Sequence, residues 1–390
     1  MTLEGKSILV TGGTGFIGSR LVEKLLLEQQ AHVRILTRSL VRAARLARFP
    51  VEIMCGDVTN KEVVHKAVRG CDVVVHCAYD FAGTRASQRQ VGVQGVRHVG
   101  EAVLQERVAR MVYVSTFAVY APTPEGDLTE SAPWPRSPNA YVLIKREAEQ
   151  LLRDLHRQQQ LPVVMIQPTL VYGPLSSHWT LTPVHNLKTG LIPLVDGGAG
   201  YCNAVYIDDV VNALILAATQ PDVLGETFLI SAEQPVTWKR FYSAFEAALG
   251  LDATVEVPAE ELRRVVRERQ RQPGALSQLM RVARHPEVFP QLTALPGVRH
   301  LLQLLRGHLS DPQWEWLKSR MLRETGAEQG QPHPPGKSIH LPDATLLALY
   351  QSKTCVRIRK AQQYLGYVPQ FDLERGMALT SRFLHWANLA

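Results

Sequence analysis

In the stretch AYVLIKREAEQ (140–150), Tyr141 and Lys145 stand four residues apart at the start of a segment that reads as a helix. On a helix that spacing stacks the two side chains on one face, within interaction range. An ammonium so placed favours the phenolate and lowers the tyrosine's pKa. A tyrosine tuned in this way can exchange a proton with an alcohol or a carbonyl oxygen. Such pairs are also common on solvated helix faces, so the chemistry needs further groups and a fold that gathers them.

Those groups begin at the other end of the chain. The apolar run SILVT (7–11) leads directly into TGGTGFIGSRLVEKL, which places Gly12, Gly15 and Gly18 just ahead of an amphipathic helix. In a strand–turn–helix unit Gly12 permits the tight turn, Gly15 lets a pyrophosphate approach the backbone, and Gly18 lets the helix pack on the strand. Arg38 follows the second apolar run, where a dinucleotide fold usually offers an acidic residue to the adenosine ribose. With Arg42 and Arg45 behind it, Arg38 suits a ribose 2′-phosphate and points to NADP, with NAD as the alternative; a solvated basic helix start has the same composition. Asp57, in CGDVTN, is positioned either to accept from the adenine amino group or to cap the next helix, a role also open to Thr59 or Asn60.

The elements that must position these residues alternate. SILVT, HVRILT (32–37), VEIMC (51–55), DVVVHC (72–77), MVYVS (111–115), PVVMIQ (162–167) and ETFLIS (226–231) read as buried strands, separated by helical stretches such as GSRLVEKLLLEQQ and VRHVGEAVLQER. That order predicts an α/β fold, a doubly wound parallel Rossmann sheet covered on both faces, with a smaller, mainly helical substrate-binding domain. The expected division is residues 1–170 plus 204–232 for the dinucleotide-binding domain, and 171–203 plus 233–390 for the substrate-binding domain. Within the latter, 251–354 reads as a helical insertion, where strand signals fade and ELRRVVRERQ, ALSQLMRVARH, VRHLLQLLRGHL and PQWEWLKSRML suggest short helices. GAEQGQPHPPGK (326–337) reads as a connector.

Whole-chain properties narrow the class. A hydrophobic content of 45% over 390 residues suits a globular protein with a sizeable core. Apolar runs are too short for a membrane span, and the first residues lack a secretory pattern, so a cytoplasmic location is expected. Five scattered cysteines without a C-x-x-C suggest neither a disulfide framework nor a zinc site, and His76 within VVVHCA reads as a core or strand-end histidine; no metal is expected. The net charge of +7 is spread along the chain, which does not favour nucleic acid. The basic helices after 251 read as a lid or cap, with a dimer surface or an interfacial membrane contact through 251–330 as lesser alternatives.

Together the glycine turn, VVVHCAY, YVSTFAVY, Tyr141-x-x-x-Lys145 and QPTLVYGP resemble the extended short-chain dehydrogenase/reductases, grouped as NAD-dependent epimerase/dehydratases. The resemblance covers 7–250 and returns at 355–388. It implies that Tyr141 is the acid/base, that Lys145 holds the nicotinamide ribose, and that Thr116, beside Ser115, binds the reacting oxygen. The same correspondence implies cofactor contacts at Phe16, Ile17 and Val58, at Ala78 and Tyr79, and at Ser115 and Pro168. Substrate contacts are implied at Asp80, Thr169, His178 and Asn203, although Asp80 also suits a cap and His178 and Asn203 also suit lid packing. Phe117 and Ala118 stand where sugar-nucleotide dehydratases carry acidic residues, and Thr169 where many epimerases carry asparagine. The expected activity is therefore interconversion of a secondary alcohol and a ketone on a small-molecule substrate. Transient hydride chemistry in a sugar epimerase is the alternative, and a non-catalytic dinucleotide sensor a second one.

Overall fold

The structure, a computed structural model, describes residues 2–123, 125–271 and 338–390. It divides into one unit of Met1–Ala259 with Ser338–Ala390 and another of Glu260–Lys337. The second unit is described only along the helix Ala259–Arg271. The other helices expected between 272 and 330, the connector 326–337 and any membrane contact they make lie outside the described residues.

Seven strands form the central sheet of the first unit. They are β1 (Ser7–Thr11), β2 (His32–Thr37), β3 (Val51–Cys55), β4 (Val73–His76), β5 (Arg110–Val114), β6 (Val163–Pro168) and β7 (Thr227–Ile230). Their order is β7-β6-β5-β4-β1-β2-β3, and every pairing is parallel. The chain leaves β3 at one edge and returns beside β1 as β4, which creates a crevice at the carboxyl ends of β1 and β4, where such sheets bind ligands. All residues of β4, β5 and β6 are buried. Their mostly apolar runs, interrupted only toward the ends by His76, Arg110 and Gln167, are what a sheet covered on both faces requires.

Helices α2 (Lys61–Val68), α3 (Val96–Gln105) and α4 (Ala140–Gln159) cover one face. Val64 and Val68 from α2, Val99 and Val103 from α3 and Leu152 from α4 join Leu9, Met111 and Met165 of the strands in one core cluster. Burial of each such side chain stabilises the fold by about 1.5–3 kcal/mol. Across the sheet lie α1 (Phe16–Leu27) and α5 (Ile207–Thr219). A bidentate ion pair, Arg20 to both Asp208 oxygens at 2.6 and 2.8 Å, and a Lys24–Asn212 hydrogen bond of 2.9 Å join these two helices.

Beyond the carboxyl ends of the strands, the remaining segments build four two-stranded ribbons. One pairs Ile192–Val195 with Thr254–Val257 and another pairs Gly126–Leu128 with Thr354–Val356. These strands carry two to four residues each, too few for an alternating pattern to register in the sequence. Residues 251–259 and 338–354, read in the sequence as part of the insertion, therefore group with the first unit. Among the latter is the helix Ala344–Gln351, capped by Asp343. Its Leu347 and Tyr350 are buried, the Tyr350 hydroxyl lies 2.6 Å from that of Tyr242, and Trp238 donates to the Leu349 carbonyl. No helix among the described residues is long and apolar enough to cross a membrane.

Candidate active site

A cavity of about 1430 Å³ opens along the carboxyl ends of the strands. Its volume exceeds the roughly 300–1,000 Å³ of an ordinary small-molecule site, so it has room for a dinucleotide and a second ligand.

The turn after β1 forms its floor. Gly12 has φ of +71°, and a Cβ there would lie 2.8 Å from the Ala78 backbone nitrogen. Only glycine accepts both the left-handed backbone and this approach. A Cβ on Gly18 would lie 2.3 Å from the Gly12 carbonyl oxygen, so α1 rests on the turn itself. Gly13, passed over in the sequence, is also closely packed, because its Cβ would meet the Ile35 side chain at 2.6 Å. At the N-cap of α1, Gly15 offers no side chain to the amides of the first turn, which includes Phe16, Ile17 and Gly18. Free amides and the positive end of the helix dipole face the cavity, the arrangement that receives a pyrophosphate. A dinucleotide fits this cradle.

At the adenosine end, the Arg38 guanidinium is half-exposed, 3.7 Å from Asp57 Oδ2 and 3.8 Å from Asp80 Oδ1. Asp57 Oδ1 accepts from the backbone amide and the hydroxyl of Thr59, both at 2.9 Å, while Asn60 caps α2. Val58 lines the cavity, and its side chain packs over Gly95. Asp80 Oδ2 accepts from Ser87 Oγ at 2.5 Å. Asp80 thus lines the cavity with its two oxygens facing Ser87 and Arg38.

Tyr141 owes its place to Asn139, whose side chain accepts from the Tyr141 and Val142 amides and starts α4 there. Its ring meets Tyr79 edge-on at 5.2 Å and Phe81 at 5.7 Å. Burial pushes the Tyr141 pKa above the ordinary tyrosine value, and the nearby Thr116 hydroxyl pulls the other way. Thr116, just past β5, also accepts from the Ala118 amide at 3.2 Å. Lys145 is 5% exposed and donates to the Val114 carbonyl at 2.8 Å and the Tyr113 hydroxyl at 3.3 Å. Burial pushes its pKa down to about 8, against the pull of the Glu149 carboxylate. His76 stacks on Tyr113 with Nδ1 2.7 Å from Thr11 Oγ1, and burial with the neighbouring Lys145 charge lowers it to about 3. It is a neutral core histidine.

Past Tyr141 the cavity continues between His178, which stacks edge-on against Phe81, and one face of the helix Ala344–Gln351. Ala78, Tyr79, Ser115, Pro168 and Thr169 all lie on its wall, and the Thr169 hydroxyl donates to Ser231 Oγ at 3.1 Å. Asn203 corrects the sequence reading. It is buried off the cavity, with Nδ2 donating to the Thr354 carbonyl at 2.9 Å and Oδ1 accepting from the Val356 amide at 3.0 Å, so it joins two strands instead of meeting substrate. Sequence reasoning missed Gly13, Phe81, Glu149 and the helix Ala344–Gln351. Only Glu149, one turn beyond Lys145, had a signal in its spacing.

The sequence profile of the NAD dependent epimerase/dehydratase family matches residues 8–231. The chain is 29% identical over 265 residues to a 2-alkyl-3-oxoalkanoate reductase of Shewanella oneidensis, covering 64% of this chain and 68% of that one. It is 28% identical over 261 residues to a UDP-glucose 4-epimerase of Vibrio cholerae, covering 63% and 76%. Among solved structures, a dTDP-glucose 4,6-dehydratase from Streptomyces venezuelae with NAD bound superposes with a TM-score of 0.66 at 21% identity over 97% of each chain, a likeness of fold. The parallel sheet, the glycine cradle and a family match over more than half of the residues lead to one conclusion: the chain belongs to the NAD dependent epimerase/dehydratase family, enzymes of the extended short-chain dehydrogenase/reductase group.

Proposed function

We propose that the protein is an NAD(P)-dependent oxidoreductase that interconverts a secondary alcohol and a ketone, with Thr116, Tyr141 and Lys145 as its catalytic set. The observation that carries this reading is that Tyr141, Thr116 and a buried Lys145 line the wall of the same cavity as the glycine cradle. When bound, the nicotinamide supplies or accepts the hydride. In the oxidative direction the Tyr141 oxygen takes the proton of the substrate hydroxyl, and in reduction it returns that proton to the carbonyl oxygen. Thr116 holds the reacting oxygen by a hydrogen bond. Lys145, protonated below its pKa of about 8, places a positive charge near the phenol and favours its ionised form.

At the two positions after Thr116 the cavity presents Phe117 and Ala118 instead of the acidic pair that carries elimination in sugar-nucleotide dehydratases, which argues against elimination by that route. Ala348 and Leu349 of the helix Ala344–Gln351 add an uncharged wall suited to an apolar substrate body. The likeness to an oxoalkanoate reductase supports net carbonyl reduction. Arg38 and Arg42 on the cavity wall support NADP, while the family's description keeps NAD as the alternative. Five unpaired cysteines are consistent with a reducing, cytoplasmic setting. Likeness to a UDP-glucose 4-epimerase supports the competing reading, in which the cofactor stays bound and shows no net turnover. Steady loss of reduced-nicotinamide absorbance with a panel of aliphatic and aromatic ketones is the expected result. Conversion of a UDP-hexose without any such loss would select the epimerase.

A further inference from the structure

Glu149 is completely buried, one helical turn beyond Lys145 and two beyond Tyr141 on the same face of α4. Its Oε1 accepts from Ser115 Oγ at 2.5 Å and from Gln167 Nε2 at 2.8 Å, and Oε2 accepts from Arg153 at 3.0 Å. One carboxylate therefore joins α4 to the end of β5 and to β6. Ser115 precedes Thr116, so the hydroxyl assigned to the reacting oxygen sits next to a residue clamped to the helix that carries Tyr141. The loop of contacts closes on itself and leaves helix and strand little freedom to slide.

Glu149 also stands out by charge. From β4 and the loop after it, Lys145 is faced by His76, Cys77 and Tyr79; from β5 by Tyr113; and from its own helix by Glu149. His76 is held neutral, and burial raises Cys77 and the two tyrosines above their usual values, so they too are neutral near pH 7. Among these neighbours Glu149 alone carries a negative charge, and Arg153 faces it from the far side at 35% exposure.

We propose that Glu149 is the positioning residue of this site: it locks the helix carrying Tyr141 and Lys145 against the strand end carrying Thr116, and it holds Lys145 in the charged state. The proposal rests on the catalytic reading of Thr116, Tyr141 and Lys145. A carboxylate that fastened the helix but exerted no field at Lys145 would leave the Lys145 titration unmoved when neutralised. Glu149 instead raises the Lys145 pKa against burial, so its removal lets that pKa fall below about 8.

The test uses the full chain labelled with [ε-13C]lysine, with the Lys145 resonance assigned by its absence in Lys145→Met. Its titration is followed by NMR in the native protein, Glu149→Gln and Glu149→Asp, together with NADPH dissociation constants from pH 6 to 9. Glu149→Gln should titrate Lys145 lower by about one pH unit or more, with NADPH affinity falling earlier as pH rises and nearly native at pH 6. Glu149→Asp, which keeps the charge and shortens the clamp, should leave the Lys145 titration close to native. A native Lys145 titration in Glu149→Gln overturns the proposal. Should Glu149→Gln fail to fold, Gln167→Met, which removes another hydrogen bond to Glu149 from outside the cavity wall, decides: a lowered ketone turnover number with unchanged NADPH affinity supports the clamp, and native turnover overturns it. Tyr141→Phe tests the catalytic reading separately: if it retains full turnover that reading fails, whereas an inactive Tyr141→Phe with an unmoved Lys145 titration refutes Glu149 alone.

Discussion

Tyr141→Phe removes one oxygen and keeps the ring in its contacts with Tyr79 and Phe81, at 5.2 and 5.7 Å. Its structural cost is at most one hydroxyl hydrogen bond, a net of about 0.5–1.5 kcal/mol. That corresponds to a fall of at most a few degrees in Tm for a chain of this size. If Tyr141 is the acid–base, turnover falls by about 10²–10⁴-fold, or ~2.7–5.5 kcal/mol in the barrier. The catalytic cost thus exceeds the structural one, and partial unfolding cannot account for it. NADPH affinity should remain within about twofold, because Tyr141 adds no charge to the cavity while it is a neutral phenol. Ketone turnover is measured with reduced cofactor and with its deuterated form, so that an isotope effect establishes whether hydride transfer limits the rate. A variant that keeps more than about a tenth of the native rate, with hydride transfer limiting, would refute the role assigned to this oxygen.

Arg38→Ala should cut the preference for NADPH over NADH by about ten- to hundredfold, the worth of a charge-assisted contact of ~1.5–3 kcal/mol; equal dissociation constants for both cofactors in the native protein would remove the basis for NADP. Asp209 is completely buried and accepts from the Gln370 and Phe371 amides at 2.8 and 3.1 Å, so Asp209→Ala strands two donors and should cost about 2–4 kcal/mol in denaturant unfolding. His76, lowered from 6.5 to about 3, binds its proton more readily in the unfolded chain. Its contribution to stability is therefore present above about pH 6.5 and lost as pH falls toward 3, and His76→Asn should lose less stability between pH 6.5 and 4 than the native protein. Equal losses in the two proteins would place the acid sensitivity elsewhere.

Local spacing carried most of what could be read before the structure. Strand–turn–helix order, the glycine triad and the four-residue step from Tyr141 to Lys145 are set by neighbours in sequence, because backbone sterics and the helical repeat act over a few residues. The sheet and the cradle followed from them. What tertiary structure alone decided depends on pairs far apart in the chain. Asn203 is spent on Thr354, 151 positions away, and Asp80 faces Arg38 and Ser87. Gly13 packs closely against Ile35 on the next strand. Glu149 becomes part of the site only when β5 brings Ser115, 34 positions earlier, against α4. The helix Ala344–Gln351 lies far beyond the family-matched residues and reaches the cavity because Trp238 and Tyr242 anchor its inner face. No local pattern encodes such meetings, since a buried polar group takes whichever partner the packing delivers, and its cost when unpartnered enforces the match.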